Sequence, residues 1–177
     1  LSEEPAFILE EKYAGESVAD KLKRIREVMK EEGADIHILT TLDDICWTLN
    51  MRGNDIDFFP MVLSYAIVTM DGVELYIDER KLDDALKVKL AADGVKLHPY
   101  NDIYEDVKKF AEDTVVMVDP GKLNYAIFNN IPENVKTIEQ RNPAILMKAM
   151  KNPVEIKNIR KAQIKDSVAH VRFMKWL

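Results

Sequence analysis

The first regular pattern of hydrophobic positions begins after Ser17 and ends at Gly33. Apolar residues recur there every three or four positions, which is the spacing of one face of an amphipathic helix. Ser17, followed by Asp20, is typical of the residue that caps a helix N-terminus. The apolar face consists of Val18, Leu22, Ile25 and Met29. The sequence therefore predicts a helix that packs one side against a core.

Short β-rich runs follow this helix and alternate with helical patterns. Asp71-Gly72 stands between two of the runs, and an Asp-Gly turn in that position predicts an antiparallel hairpin. Helical patterns are also predicted over residues 103–111 and 125–129. The predicted strands are Ile36–Leu39, Leu63–Thr69, Val73–Ile77, Val95–Leu97, Val115–Val118 and Val135–Ile138. This alternation predicts an α/β fold in which a mixed β-sheet is flanked by helices.

The C-terminal segment differs from the rest of the chain. A helix is predicted to begin at Pro153, near a favourable first-turn position, and to continue to the last residue. Its final turns are apolar on nearly all sides, as expected for a helix buried among several partners. These apolar residues are Val168, Ala169, Val171, Phe173, Met174, Trp176 and Leu177. We therefore expect residues 1–150 to form one domain and residues 151–177 to begin a second; the alternative is that the helix docks back onto the first domain.

Composition limits the class of protein. At 47% hydrophobic and 32% charged residues the chain can form a core, and no apolar run approaches the roughly 18 residues of a membrane span. Cys46 is the only cysteine, which favours a reducing compartment. The start at Leu1 shows no basic and apolar signal-peptide pattern. We expect a cytoplasmic protein with no membrane partner.

Charge is distributed unevenly along the chain. From residue 148 onward eight cationic side chains oppose Glu155 and Asp166, a net charge of +6. Since the whole chain carries −6, the first 147 residues carry −12. The basic residues alternate with apolar ones at helical spacing, which indicates a solvated helix face. A nucleic-acid partner is therefore not expected.

No catalytic or metal-binding constellation is evident. His37, His98 and His170 share no ligand spacing such as i, i+4. The paired carboxylates, Asp43-Asp44 and Asp55 with Asp57, lack a neighbouring histidine or glutamate cluster, and such pairs commonly cap turns. No glycine-rich phosphate loop is present among the six glycines. The sequence therefore predicts no catalytic residue, metal ligand or cofactor site in this chain.

The most unusual chemistry lies in residues 42–55, directly after a predicted strand, where α/β sheets commonly present ligands. We interpret this stretch as a recognition loop in which Arg52 offers a planar fork to a carboxylate or carbonyl, and Gly53 permits a tight turn. The candidate substrate-access residues are Trp47, Arg52, Gly53 and Asp55. The alternative is that Ile45, Trp47 and Leu49 only pack, while Arg52 pairs with Asp55 or Asp57.

Together with these residues, several other stretches resemble one known family, the three-domain Xaa-Pro aminopeptidases, also called aminopeptidase P. The resemblance follows the order of the family along nearly the whole chain. The stretches are Tyr13–Ser17, Leu42–Asp55, Leu63–Ile67, His98–Tyr100, and Lys148–Pro153 leading into Arg160–Asp166. The resemblance implies that this chain corresponds to the second, creatinase-N-like domain plus the first helix of the pita-bread catalytic domain.

The resemblance also implies a function for the intact protein. Members of the family remove the N-terminal residue of a peptide when proline follows, using two divalent metal ions, usually manganese, in the catalytic domain. The family's metal ligands have no counterparts in this sequence, so the chain by itself is expected to be inactive. It would shape access to the active site and pack against the catalytic domain of the same chain or, in a homo-oligomer, another subunit. The alternatives are a free-standing protein-interaction module and the N-terminal domain of a creatinase or prolidase.

Overall fold

Eight strands form two sheets in the computed structural model, which describes residues 2–177. They are β1 (Phe7–Ile8), β2 (Ile36–Leu39), β3 (Met51–Arg52), β4 (Ser64–Thr69), β5 (Val73–Ile77), β6 (Val95–His98), β7 (Val115–Val118) and β8 (Lys136–Glu139). The main sheet has six strands in the order β6-β5-β4-β2-β7-β8. Strand β4 is antiparallel to both neighbours, and the other pairs are parallel. The prediction of a mixed sheet flanked by helices is confirmed.

Helices cover both faces of this sheet. They are α1 (Glu11–Ala14), α2 (Val18–Glu32), α3 (Leu42–Thr48), α4 (Asp84–Ala92), α5 (Ile103–Asp106), α6 (Tyr125–Asn130), α7 (Pro143–Ala149) and α8 (Pro153–Trp176). One core cluster joins α2, α3, α4 and α7 to one face of the sheet. A second cluster joins α5 and α6 to the other face, and Met117 and Val118 of β7 point into different clusters. The alternation of side chains along a strand produces this two-sided core.

Helix α2 and the β4–β5 hairpin follow directly from local sequence. The Ser17 side chain accepts a hydrogen bond from the Asp20 amide at 3.1 Å, and Gly33 ends the helix with φ 70°. Gly33 is suited to that position because it has no Cβ to clash in the left-handed region. In the hairpin, the Thr69 amide donates to the Gly72 carbonyl at 3.0 Å. Both predictions are confirmed, within one residue at each boundary.

Three local predictions were incomplete. Residues 42–55 are not one loop, because Leu42–Thr48 form helix α3, whose residues Ile45, Cys46 and Trp47 are buried. The helix predicted over residues 103–111 ends at Asp106 and continues as one 3₁₀ turn, Val107–Lys109. Helices α4 and α7 and the short strands β1 and β3 were not predicted. Helices α4 and α7 are capped by Asp83 and Asn142, and each also buries part of its apolar surface against the core.

Helix α8 is capped but not covered. Asn152 and Glu155 form a reciprocal capping box, and Asn152 Nδ2 donates to the Ala14 carbonyl at 2.7 Å, which attaches the start of α8 to α1. No residue of α8 is buried, and Trp176 near its end is 79% exposed. The described residues contain no helix with both the length and the apolar character needed to cross a membrane. The helix thus presents apolar side chains that residues 2–152 do not cover.

Candidate functional site

The candidate site is the stretch of residues 47–59, which we call the access segment. It starts at the end of α3 and reverses direction at Asn50, a non-glycine residue with φ 49°. Strand β3 then pairs antiparallel with β1, so that Arg52 lies opposite Phe7. The chain continues into a tight turn in which the Phe59 amide donates to the Ile56 carbonyl at 3.1 Å.

Trp47 forms the buried base of the access segment. Its side chain belongs to the larger core cluster, and the residue is only 5% exposed. The Lys21 ammonium lies 4.5 Å from the centroid of the indole ring, a distance at which a cation is attracted to the ring face. The packing half of the alternative interpretation therefore agrees with the structure. The role of Trp47 as a substrate-access residue stays a prediction.

Lys21 is a buried cation that the sequence pattern did not single out. Its Nζ donates to the Trp47 carbonyl at 2.8 Å and to Asn50 Oδ1 at 2.5 Å. Asn50 in turn donates from Nδ2 to the Glu16 carbonyl at 2.9 Å. Burial lowers the pKa of Lys21 to about 8, because removal from water disfavours the charged form. Lys21 thereby fixes the turn that carries the chain from α3 to β3.

Because the pKa of Lys21 is lowered, we expect the free energy of unfolding to depend on pH. Because the folded protein releases this proton near pH 8 and the unfolded chain only near pH 10.4, the unfolded state binds more protons between these values. The contribution of Lys21 to the free energy of unfolding should therefore rise with pH across that window. Urea unfolding at pH 7 to 10 should show this rise in the original protein and not in Lys21→Met. The exposed neighbour provides the control Lys23→Met, which should keep the rise.

Arg52 is held by backbone carbonyls. Its Nη1 donates to the carbonyls of Cys46 at 2.6 Å and Met51 at 2.8 Å. No carboxylate among residues 2–177 forms an ion pair with this guanidinium, so the proposed pairing with Asp55 or Asp57 was wrong. Burial lowers the pKa of Arg52, while Cys46 and Glu155 favour its charged form electrostatically. The Arg52 guanidinium is thus fixed through Nη1 and has no carboxylate partner among the described residues.

Gly53 is required for a close approach and not for a turn. It has no positive φ, unlike Gly15 and Gly33, so its predicted role in a tight turn was wrong. A Cβ at this position would lie 2.7 Å from Val62 Cγ2 and 3.6 Å from the Pro5 carbonyl oxygen. The missing side chain lets the access segment pass tightly between two neighbouring stretches of chain.

Asp55 forms a buried ion pair with Lys81. Its Oδ2 accepts from Lys81 Nζ at 2.5 Å and from the Leu63 amide at 2.6 Å. The two charged side chains are 1% and 0% exposed. Asp55 therefore cannot offer its carboxylate to a ligand at the surface of this chain, and instead anchors the turn that follows it.

The turn beyond Asp55 is exposed and aromatic. Phe58 has φ 66° and is fully exposed, at 103%, and Phe59 is 60% exposed. Ile56, at the other end of the turn, is 40% exposed. We call residues 56–59 the aromatic tip. Its aromatic residues were not identified from the sequence, although a phenylalanine pair beside a proline in a polar stretch was a usable signal.

His37 and the Asp43-Asp44 pair have structural partners within the fold. His37 is buried, with Nδ1 3.1 Å from the Met117 carbonyl oxygen and Nε2 3.2 Å from Asn142 Oδ1. Asp44 accepts from Asn142 Nδ2 at 2.8 Å and from Lys148 Nζ at 2.6 Å, and Asp43 also pairs with Lys148. Within residues 2–177, no three His, Cys, Asp or Glu side chains are placed to hold a metal ion.

Comparison with known proteins identifies the family. Residues 1–155 match the creatinase/prolidase N-terminal domain. Xaa-Pro aminopeptidase 1 of Dictyostelium discoideum is 38% identical over 172 residues, which cover 97% of this chain and 27% of that protein. Aminopeptidase P1 of Lotus japonicus is 32% identical over 208 residues, covering 94% of this chain and 31% of that protein.

Solved structures agree with this assignment. An X-prolyl aminopeptidase from Caenorhabditis elegans, described as a cytosolic enzyme with a di-nuclear active site, superimposes with a TM-score of 0.93 at 31% identity, over 98% of this chain and 29% of that one. An Xaa-Pro dipeptidase from Bacillus anthracis superimposes with a TM-score of 0.67 at 18% identity, over 91% of this chain and 44% of that one, which shows the shared fold alone.

Nearly all of this chain is matched, but it spans only about 30% of the length of these relatives. The resemblance drawn from the five sequence stretches is confirmed by the family match and by similarity in both sequence and structure. Taken together, the six-stranded mixed sheet and the match over residues 1–155 place this chain in the creatinase/prolidase N-terminal domain family.

Proposed function

We propose that this chain is a non-catalytic accessory domain of a cytoplasmic Xaa-Pro aminopeptidase, a metallopeptidase that removes the N-terminal residue of a peptide when proline follows. The observation that carries the proposal is the superposition on the C. elegans aminopeptidase over nearly the whole chain. The Xaa-Pro dipeptidase from B. anthracis shares the fold at only 18% identity, compared with 31% for the C. elegans aminopeptidase. This difference favours an aminopeptidase over a prolidase. The chain would act by shaping access to the active site and by packing against a domain or subunit.

The metal chemistry belongs outside this chain in our proposal. The described side chains do not fit a two-metal site, because no three His, Cys, Asp or Glu side chains among residues 2–177 are placed to hold a metal ion, and Asp43, Asp44 and Asp55 are already paired with Lys148 and Lys81. We propose that the catalytic domain binds two divalent metal ions, which are usually manganese in this family. We also propose that this chain alone does not hydrolyse peptides.

The position of α8 supports a boundary near residues 150 and 151. The helix contacts the rest of the chain at its first turns, through Asn152 to Ala14 and through Asn158 to the Lys12 and Tyr13 carbonyls. Its later apolar residues have no cover among residues 2–152. We propose that residues 1–150 form the accessory domain and residues 151–177 lead into the catalytic domain, which would cover them.

The access segment lies on the side where α8 leaves the domain. Strand β1, which pairs with Arg52, leads directly into α1, and α1 holds the start of α8. Glu155, in the first turn of α8, is close enough to influence Arg52 electrostatically. We therefore propose that the access segment faces the mouth of the active site in the intact enzyme. Arg52 would present its unpaired charge to a carbonyl or carboxylate of the peptide.

Replacing Arg52 in the full-length enzyme tests this placement. Arg52→Met keeps the stem of the side chain and removes the fork, so kcat/KM for Xaa-Pro peptides should fall about ten- to hundredfold, the usual cost of a hydrogen bond to a charged group. Metal content should not change. Some stability should be lost, because two hydrogen bonds to backbone carbonyls disappear.

A second arginine provides the matched control. Arg26 also donates to two backbone carbonyls, of Thr69 at 2.8 Å and Gly72 at 3.0 Å, but lies at the β4–β5 hairpin. Arg26→Met should cost comparable stability and leave kcat/KM of the folded enzyme unchanged. If Arg52→Met behaved in the same way, Arg52 would be only an anchor of the access segment.

A further inference from the structure

The aromatic tip carries a residue in a conformation that its side chain disfavours. Phe58 occupies the third position of the Ile56–Phe59 turn with φ 66°, where glycine or asparagine is normally found. A bulky residue in the left-handed region is strained, and strained residues are concentrated at functional sites. Phe58 gains no burial in exchange, because its side chain is fully exposed.

The base of the tip is rigid. The Asp55 carboxylate is fixed between Lys81 and the Leu63 amide, and the Asp55 amide donates to the Met61 carbonyl at 3.2 Å. Gly53 is in close contact with Val62 on the same side. The backbone before Phe58 is therefore held in place before a ligand binds, which lowers the conformational entropy cost of ordering this segment on binding.

The chemistry of the tip selects an apolar ligand. Ile56, Phe58 and Phe59 are exposed together, and Asp57 is the only charged side chain among residues 56–59. Rigid aromatic side chains supply a large contact area for apolar groups and for the proline ring. An anionic ligand would be disfavoured by the Asp57 carboxylate. The tip thus suits an uncharged, apolar segment of a peptide.

The spacing along the access segment indicates which part of a peptide would reach the tip. Ile56 lies four positions after Arg52, which is a distance of at most about 13 Å at roughly 3.3 Å per residue. A bound peptide in extended form advances by the same distance per residue. A peptide several residues longer than a tripeptide could therefore span the distance from Arg52 to the tip.

We propose that Phe58 is a specificity-determining contact for apolar side chains of the peptide substrate that lie beyond its proline. This inference rests on the proposed function, because it requires the access segment to face the active-site mouth. Arg52 would hold the part of the peptide near the proline, and the aromatic tip would select among longer peptides by their apolar content.

The test compares three substrates in the full-length enzyme: Ala-Pro-Ala, the hexapeptide Ala-Pro-Gly-Phe-Phe-Gly, and Ala-Pro-Gly-Ser-Ser-Gly. In Phe58→Ala, kcat/KM for the phenylalanine hexapeptide should fall about tenfold, the effect of losing one aromatic contact with its buried area. The other two substrates should change less than about twofold. Phe58→Trp should retain the preference. Tyr125→Ala, at a 78% exposed position on α6, is the control and should leave all three rates unchanged.

A stability measurement tests the strain independently. Phe58→Gly should raise the Tm of the 177-residue chain by about 2–4 °C, since glycine adopts a positive φ without cost. The same substitution in the full-length enzyme should abolish the preference for the phenylalanine hexapeptide. A lower Tm would show that the phenyl ring stabilises the fold and would overturn the argument from strain.

Other outcomes separate this inference from the proposed function. An equal loss on all three peptides, with a lower Tm of the full-length enzyme, would show that the tip packs against another domain. A change in molecular mass by light scattering would assign the tip to a second copy of the chain. Unchanged rates in Phe58→Ala, with impaired turnover in Arg52→Met, would overturn the role of Phe58 alone. Unchanged rates in both variants would overturn the placement of the whole access segment.

Discussion

Asp55→Ala is expected to lower the free energy of unfolding by about 3–5 kcal/mol, which is a large part of the stability of a domain of this size. The substitution leaves the Lys81 ammonium without its partner at a position where the side chain is completely buried. It also removes the acceptor of the Leu63 amide, which the carboxylate binds at 2.6 Å. Chemical denaturation monitored by circular dichroism measures the change.

The reciprocal substitution and the double variant show whether the pair is the cause. Lys81→Met should cost a similar amount, since the Asp55 carboxylate is then buried without a cation. The double variant Asp55→Ala/Lys81→Met should lose clearly less than the sum of the two single losses, because neither charge is left unpaired. Asp57→Ala, in the exposed turn, is the control and should change stability by less than about 0.5 kcal/mol. Additive losses in the double variant would contradict a direct coupling.

Trp47→Ala is expected to cost about 3–5 kcal/mol, because the indole ring is part of the main core cluster and its removal leaves a cavity. The Lys21 ammonium also loses the ring face that it contacts at 4.5 Å. Trp47→Phe should retain most of the stability, since a smaller aromatic ring fills much of the same volume. Urea unfolding followed by circular dichroism compares the two variants.

An exposed tryptophan supplies the comparison for Trp47. Trp176 near the end of α8 is 79% exposed, so Trp176→Ala should change the stability of this chain by less than about 0.5 kcal/mol. A loss below about 1 kcal/mol for Trp47→Ala would contradict its burial. In the full-length enzyme the two positions should differ in a second way, because we propose that α8 is covered there. Trp176→Ala should then become destabilising.

Much of the fold was accessible from the sequence because it depends on local interactions. The helix cap at Ser17 and the end of that helix at Gly33 are set by residues a few positions apart. The Asp71-Gly72 turn fixes the register of the hairpin on either side. Periodicity placed the remaining strands of the main sheet, since an apolar run bounded by turn residues has few other arrangements. The family resemblance likewise came from short, ordered motifs.

Some features of the candidate site could be predicted from the sequence, and others depend on the tertiary structure. The sequence singled out residues 42–55 and Arg52 as a candidate site, since an arginine beside a glycine is a local pattern, and the role of that site stays a prediction. It did not show that Asp55 pairs with Lys81, 26 residues away, or that Lys21 supports the turn at Asn50 from another helix. Pairings of this kind depend on which elements the closed chain brings together.

Tertiary structure alone decided the exposure of each aromatic side chain. Trp47 and Phe58 lie eleven positions apart in one polar and aromatic stretch. The residues around each of them do not indicate whether its side chain is buried or exposed. Trp47 is buried because α3 packs against the sheet, whereas Phe58 is exposed because the buried Asp55 directs the following turn into solvent. Burial is a property of the packed layers, whereas amphipathic periodicity and turn chemistry are properties of neighbouring residues. The sequence by itself therefore determined the six strands of the main sheet and helices α2, α6 and α8, and only the packed structure determined the remaining short elements and which side chains stay free to meet a partner.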